Sequence, residues 1–257
     1  VLIRFLAALA VLVVLSFQGP TLSAAEAPRI LIVATSHAEV PGSSKKTGLW
    51  LSELIDPYWV FRDAGADVRI ATVMGGAAPI DPRSGDSSDL STAFRNDAAA
   101  IAKFTEAPSV DRIDPTGFDA VFFAGGHGTM WDFAENATIA RIVSEFVRNG
   151  RVVAAVCHGP AALLSATDVN GRPVVTGKRI TAFSNREEAA AGWTGLVPYS
   201  LEDRLKSQGA NFDAAGVFRD NAVRDGVIVT GQNPASSESA AKLVLEALHQ
   251  KSGATTN

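Results

Sequence analysis

Short apolar runs closed by glycine or polar residues punctuate this chain. Arg29-Ile30-Leu31-Ile32-Val33-Ala34 is continuous, without polar alternation, and reads as a strand buried on both faces of a parallel sheet. Asp67 to Thr72, Phe118 to Ala124 and Val152 to Val156 read as three further strands. Between the first two, residues 47–64 read as a helix carrying Trp50, Tyr58, Trp59 and Phe61, with Pro57 expected to kink or restart it. Residues 75–89 are rich in Gly, Pro, Ser and Asp and predict a long loop. Ile139 to Asn149 predicts a helix ended by Gly150. Further on, the pattern predicts a strand edge at 177–182, a helix at 200–207 and a hairpin turning at Asp225-Gly226. Asn233-Pro234 is expected to cap a last helix running to about His249. Strands alternating with helices predict an α/β fold: an open, mostly parallel sheet covered on both faces. Ligands in such sheets lie at the carboxyl ends of strands. Three chemistry-bearing segments fall there: Ser36-His37, Gly125-Gly126-His127-Gly128 and Cys157-His158.

The first residues follow a different pattern. Arg4 precedes the apolar run Phe5 to Leu15, then Gly19-Pro20 and the small residues Ser23-Ala24-Ala25. This is the layout of a secretory signal peptide spanning 1–25, with cleavage after Ala25 and export to the periplasm. An uncleaved membrane anchor is the alternative, for which the run is short. Residues 26–257 are expected to form one domain. A net charge of −4 without basic clusters argues against nucleic acid and anionic membrane as partners. One cysteine in the chain excludes an internal disulfide, and in an oxidising compartment it is open to oxidation unless shielded.

That cysteine is Cys157, in Val156-Cys157-His158-Gly159-Pro160 directly after the fourth strand. A lone cysteine is most often a small buried hydrophobe. Here a strand turns sharply at the thiol, in the manner of a nucleophile elbow. A helix starting at the thiol would direct its free N–H groups and positive dipole end at the sulfur and favour thiolate. Gly125-Gly126-His127-Gly128 is alone an ordinary tight turn, but beside a thiolate it suits an oxyanion hole. Glu53 lies in the mostly apolar and aromatic stretch Leu49-Trp50-Leu51-Ser52-Glu53-Leu54-Ile55, either facing solvent or buried as a general acid or base with a raised pKa. His158 needs an acid to orient it, and Glu187 and Glu188 are both candidates. His37 and His127 lack metal-ligand spacing, so no structural metal is expected.

Several segments together resemble the DJ-1/PfpI superfamily, in its Hsp31-like branch related to class I glutamine amidotransferases. They are Thr47-Gly48-Leu49-Trp50 with Glu53 and Pro57-Tyr58, Asp119 to Gly128, Ala154 to Pro160, Phe183-Ser184-Asn185 with Glu188, and Thr230 to Ser236. The resemblance implies a flavodoxin-like three-layer sandwich. It implies Cys157 as nucleophile, Glu53 as the acid bonded to its sulfur, His158 as the triad histidine and Glu188, or Glu187 beside it, as the acid orienting that histidine. It implies oxyanion N–H groups from Gly126 and His158, with Gly125 and His127 at the substrate. The activity implied is a glutathione-independent glyoxalase (D-lactate dehydratase) acting on methylglyoxal or another small 2-oxoaldehyde, without cofactor, in a homodimer. Alternatives in the same family are a holdase chaperone for unfolded proteins and a cysteine amidase, peptidase or deglycase. The aromatic residues Trp50, Tyr58 and Trp59 motivate the chaperone.

Overall fold

The structure is a computed structural model describing residues 27–85 and 88–254; the segment expected to be a signal peptide lies outside them. No helix among the described residues is long and apolar enough to cross a membrane. The strands are β1 (Arg29–Ala34), β2 (Asp67–Thr72), β3 (Ala120–Phe123), β4 (Val152–Val156), β5 (Arg179–Ile180), β6 (Asn211–Phe212), β7 (Ala222–Asp225) and β8 (Ile228–Gly231). The helices are α1 (Ser52–Asp63), α2 (Asp89–Asn96), α3 (Ala98–Thr105), α4 (Thr129–Asp132), α5 (Ala137–Arg148), α6 (Asn185–Ala190), α7 (Leu201–Ser207) and α8 (Ser237–Ala254).

Six strands form one sheet in the order β2-β1-β3-β4-β8-β7. All neighbours run parallel except the hairpin partners β7 and β8. Strand alternation divides the core in two. Ile30, Ile32, Phe122, Ala154 and Val229 pack under α1, α2, α3 and α8 through Leu54, Phe61, Phe94, Phe104 and Val244. Leu31, Val33, Phe123, Val153 and Ala155 pack under α5 and α7 through Ile139, Ile142, Phe146 and Leu205. Burying each of the larger side chains among these stabilises the fold by about 1.5–3 kcal/mol before the entropy of ordering it. The α/β expectation holds, with helices on both sides of the sheet.

Several local expectations are corrected. α1 begins at Ser52, not at 47. Backbone donors just before it are taken by other segments: Thr47 N–H by Ala38, Leu49 by Pro79 and Trp50 by Gly125. The helix then continues through Pro57 to Asp63. α2 and α3, capped by Ser88 and Asp97, start at the end of the expected loop and run to Thr105, within a stretch beyond residue 89 to which the apolar pattern assigns nothing. The 177–182 segment contributes β5 to a separate two-stranded pair with β6. After Cys157 comes a five-residue 3₁₀ turn, Gly159–Leu163, rather than an α-helix. Asn233 makes no side-chain cap; its amide instead donates to Glu187 and to the carbonyl of Arg219. The aromatic set forms no open apolar face. Tyr58 is buried against Phe94 and Trp59, and Trp50 lines a cavity.

Candidate active site

Because β3 and β4 are neighbours, with Phe123 opposite Ala155, the glycine loop after β3 lies beside the turn after β4. Cys157 has φ +60, a left-handed conformation that costs a non-glycine residue roughly 1–2 kcal/mol. The turn is clamped from two sides. Cys157 N–H donates to Gly231 at 2.9 Å, and its carbonyl accepts from Phe183 N–H at 2.8 Å. The thiol is thereby turned into a cavity of about 410 Å³ lined by Trp50, Arg83, His127, Phe183, Phe218 and Pro234, among others.

Glu53, in the first turn of α1, is wholly buried. Neither carboxyl oxygen makes a well-formed hydrogen bond among the described residues. The Cys157 thiol and the Gly125 N–H lie toward it and favour its charged form. Burial outweighs both and raises its pKa well above the usual carboxylate range. Burial also raises the thiol of Cys157, and the charge of Glu53 raises it further, against the Gly126 N–H that points at the sulfur. The two groups titrate as a pair. This corrects the expectation of a thiolate stabilised by a helix dipole: a 3₁₀ turn of five residues supplies little dipole, and the nearest acid opposes the charge.

On the other side, His158 Nδ1 lies 3.2 Å from Cys157 Sγ, and its Nε2 lies 2.9 Å from Glu188 Oε2. The second oxygen of Glu188 meets His127 Nε2 at 2.7 Å. Burial would raise the Glu188 carboxyl, but His158 and His127 hold it below its ordinary value. Glu187 faces elsewhere. It completes a capping box with Ser184 and accepts from Phe218 N–H at 2.9 Å and Asn233 Nδ2 at 2.8 Å. His127, expected at the substrate, lines the cavity and also joins the Glu188 network. Gly125 serves Glu53, whereas Gly126 serves the sulfur. Gly126 has φ +99, and a Cβ there would sit 2.3 Å from the Gly48 carbonyl. Ser36 and His37 are not brought to the thiol. Ser36 N–H donates to Asp132, and His37 stacks on Trp131.

The sequence reading missed Arg83, Asp81, Trp193 and Phe218. Arg83 reaches His127 Nδ1 at 3.0 Å and lies 3.8 Å over the Trp193 ring. Both come from segments whose local pattern says only loop. Phe218, at φ +55, stands at the cavity as a half-exposed ring. His127, His158 and Glu188 place three ligating atoms within 4.8 Å of one another, enough to consider a metal ion. Their contacts at 2.7 and 2.9 Å are hydrogen bonds that an ion would have to replace.

Comparison with known proteins agrees with this geometry. The glutathione-independent glyoxalase HSP31 of Saccharomyces cerevisiae is 32% identical over 86% of this chain and 98% of its own. The crystal structure of glyoxalase III from Candida albicans superposes with a TM-score of 0.79 at 29% identity, covering 86% of this chain and 97% of that one. The Rapid Encystment Protein of Francisella tularensis gives a TM-score of 0.83 at 39% identity, over 86% and 99% of the two chains. The DJ-1/PfpI family model matches residues 47–247. With that match across the elbow, the glycine loop and the Glu53 helix, this chain belongs to the DJ-1/PfpI family, among its Hsp31-like members.

Proposed function

We propose that this protein converts methylglyoxal, or a closely related 2-oxoaldehyde, to the 2-hydroxy acid without glutathione, giving D-lactate from methylglyoxal. One observation carries the reading. A wholly buried carboxyl, Glu53, and a histidine, His158, flank one thiol from two sides. Nucleophilic addition alone needs one base, whereas moving a proton between adjacent carbons needs a second group. The names of the relatives support the same chemistry.

The steps balance as follows. Cys157 Sγ adds to the aldehyde carbon, its proton passes to His158 Nδ1, and protonated Glu53 gives its proton to the aldehyde oxygen. The resulting Glu53 carboxylate removes the hydrogen of that carbon, while the adjacent carbonyl oxygen takes the proton held by His158. The product is an enediol. Glu53 returns its proton to the second carbon, and the first hydroxyl passes its proton to His158, leaving a thioester. Water attacks the thioester, giving one proton to Glu53, and the leaving sulfur recovers its proton from His158. The Gly126 N–H, aimed at the sulfur, is placed to receive the oxygen charge of the addition steps. Each proton has a donor and an acceptor among these groups, so the sequence calls for no metal or organic cofactor. The wild-type protein should form lactate from methylglyoxal in glutathione-free buffer, and Cys157→Ser should not. Equal lactate from both, or none from folded wild type, would overturn the reading.

The N-terminal sequence supports a second proposal, export to the periplasm with removal of residues 1–25. Edman sequencing of the protein from a periplasmic extract should begin at Glu26; an intact N-terminus in the cytosol would refute it.

A further inference from the structure

Two histidines share one carboxylate in this site, and only one of them touches the thiol. Asp81 and Arg83 lie on the far side of the other. Asp81 is wholly buried and caps the turn that carries Arg83. It accepts from Arg83 Nε at 2.9 Å and Nη2 at 2.6 Å, and from Thr47 Oγ1 at 3.2 Å. The guanidinium, 3.8 Å from the centre of the Trp193 ring, directs Nη2 at His127 Nδ1, and the His127 ring lies 4.0 Å from that of Trp193. A guanidinium only donates. His127 Nδ1 must therefore present its lone pair, and the ring proton resides on Nε2, which donates to Glu188 Oε1.

We propose that Arg83, braced by Asp81, is a positioning residue that holds His127 as a neutral Nε2–H donor and so reserves the charge of Glu188 for His158. Without it, His127 is free to take the other tautomer, which would set a lone pair against Glu188, or to become a cation and claim that carboxylate. In either case His158 loses the partner that stabilises its protonated form during sulfur attack. Burial first, and then the fields of His158 and Arg83, push the His127 pKa down to about 3 against the pull of Glu188, in keeping with a neutral ring. The titratable and charged groups facing His127 are Arg83 from the short turn Pro82–Ser84, Glu188 from α6 and His158 from the elbow, with Lys45 beyond Trp193.

The proposal rests on Cys157, His158 and Glu188 being the working set, but its first test does not depend on turnover. The chain has four histidines, so ring nitrogen-15 signals can be assigned individually by NMR. Wild-type His127 should be protonated at Nε2, bare at Nδ1, and unchanged through neutral pH. In Arg83→Met the His127 signals should shift toward Nδ1 protonation or titrate near neutrality. Its kcat for 2-oxoaldehyde should fall about a hundredfold, the size of a misplacement effect, with KM changed far less. Arg83→Lys, which still only donates, should restore the wild-type pattern and part of the rate. Protonation of His127 at Nδ1 in wild type would overturn the proposal even if Arg83→Met failed to fold. So would an Arg83→Met protein whose His127 signals match wild type. Lactate formation by wild type alongside either result would leave the glyoxalase reading standing and this one refuted.

Discussion

Glu187 and Glu188 are adjacent in the chain, yet from neighbouring positions of α6 they meet separate sets of partners. Glu188 binds His158 and His127, while Glu187 holds the helix cap and the Phe218 loop. Their substitutions should therefore separate. Glu188→Gln should lower kcat about 10²–10⁴-fold while the protein stays folded, since an orienting acceptor for a proton-transfer group is lost. Glu187→Gln should instead destabilise by about 1–3 kcal/mol, because buried donors lose an acceptor. Steady-state kinetics beside urea unfolding would read both; the reverse pattern would exchange the roles.

Glu53 ties activity to a stability cost. Its folded pKa is raised by burial, so the protonated form is favoured in the folded state. The stability it contributes is fully present below its ordinary value of about 4.5 and is lost as pH rises toward the raised value. Glu53→Gln removes the ionisable group. It should match wild type in acid and become the more stable protein toward neutral and alkaline pH. The gap should open by at most about 1.4 kcal/mol per pH unit. Its lactate formation should be lost. Urea midpoints measured across pH would show parallel curves if the carboxyl were not buried as described.

The elbow should show an unusual order of stability. At φ +60, alanine keeps the strain of Cys157 and glycine releases it. Cys157→Gly should be about 1 kcal/mol more stable than Cys157→Ala, although glycine elsewhere costs unfolded-state entropy. Both should be inactive. Equal unfolding free energies would mean that the turn carries no strain.

Gly125 has no room for a side chain. A Cβ would lie 2.5 Å from Glu53 Oε2 and from the Val156 carbonyl, and 2.9 Å from His158 N. Gly125→Ala should cost about 1–3 kcal/mol by overpacking and reduce turnover by displacing Glu53. A protein with wild-type Tm and kcat would show that the loop and the helix are not in contact.

The chain alone determined the strands of the six-stranded sheet, the elbow at its single cysteine, the glycine loop beside it and Glu53 as an acid set into the apolar stretch from Leu49 to Ile55. These are local signals: burial period, turn residues, and one residue type standing out against its neighbours. Other features depended on tertiary structure. Which of Glu187 and Glu188 meets His158 turns on the rotation of a six-residue helix about its own axis, invisible in two adjacent glutamates. Whether the thiol is favoured as a charge turned on burial and on Glu53, and the stretch after Cys157 closed as a 3₁₀ turn instead of a dipole-bearing helix. Arg83 came from a segment that reads only as loop, 44 residues from His127, and no periodicity couples them. Sequence pattern records what each segment does with water. The direction of a proton along a hydrogen-bonded chain is decided by which distant donors and acceptors the fold brings within about 3 Å of one another.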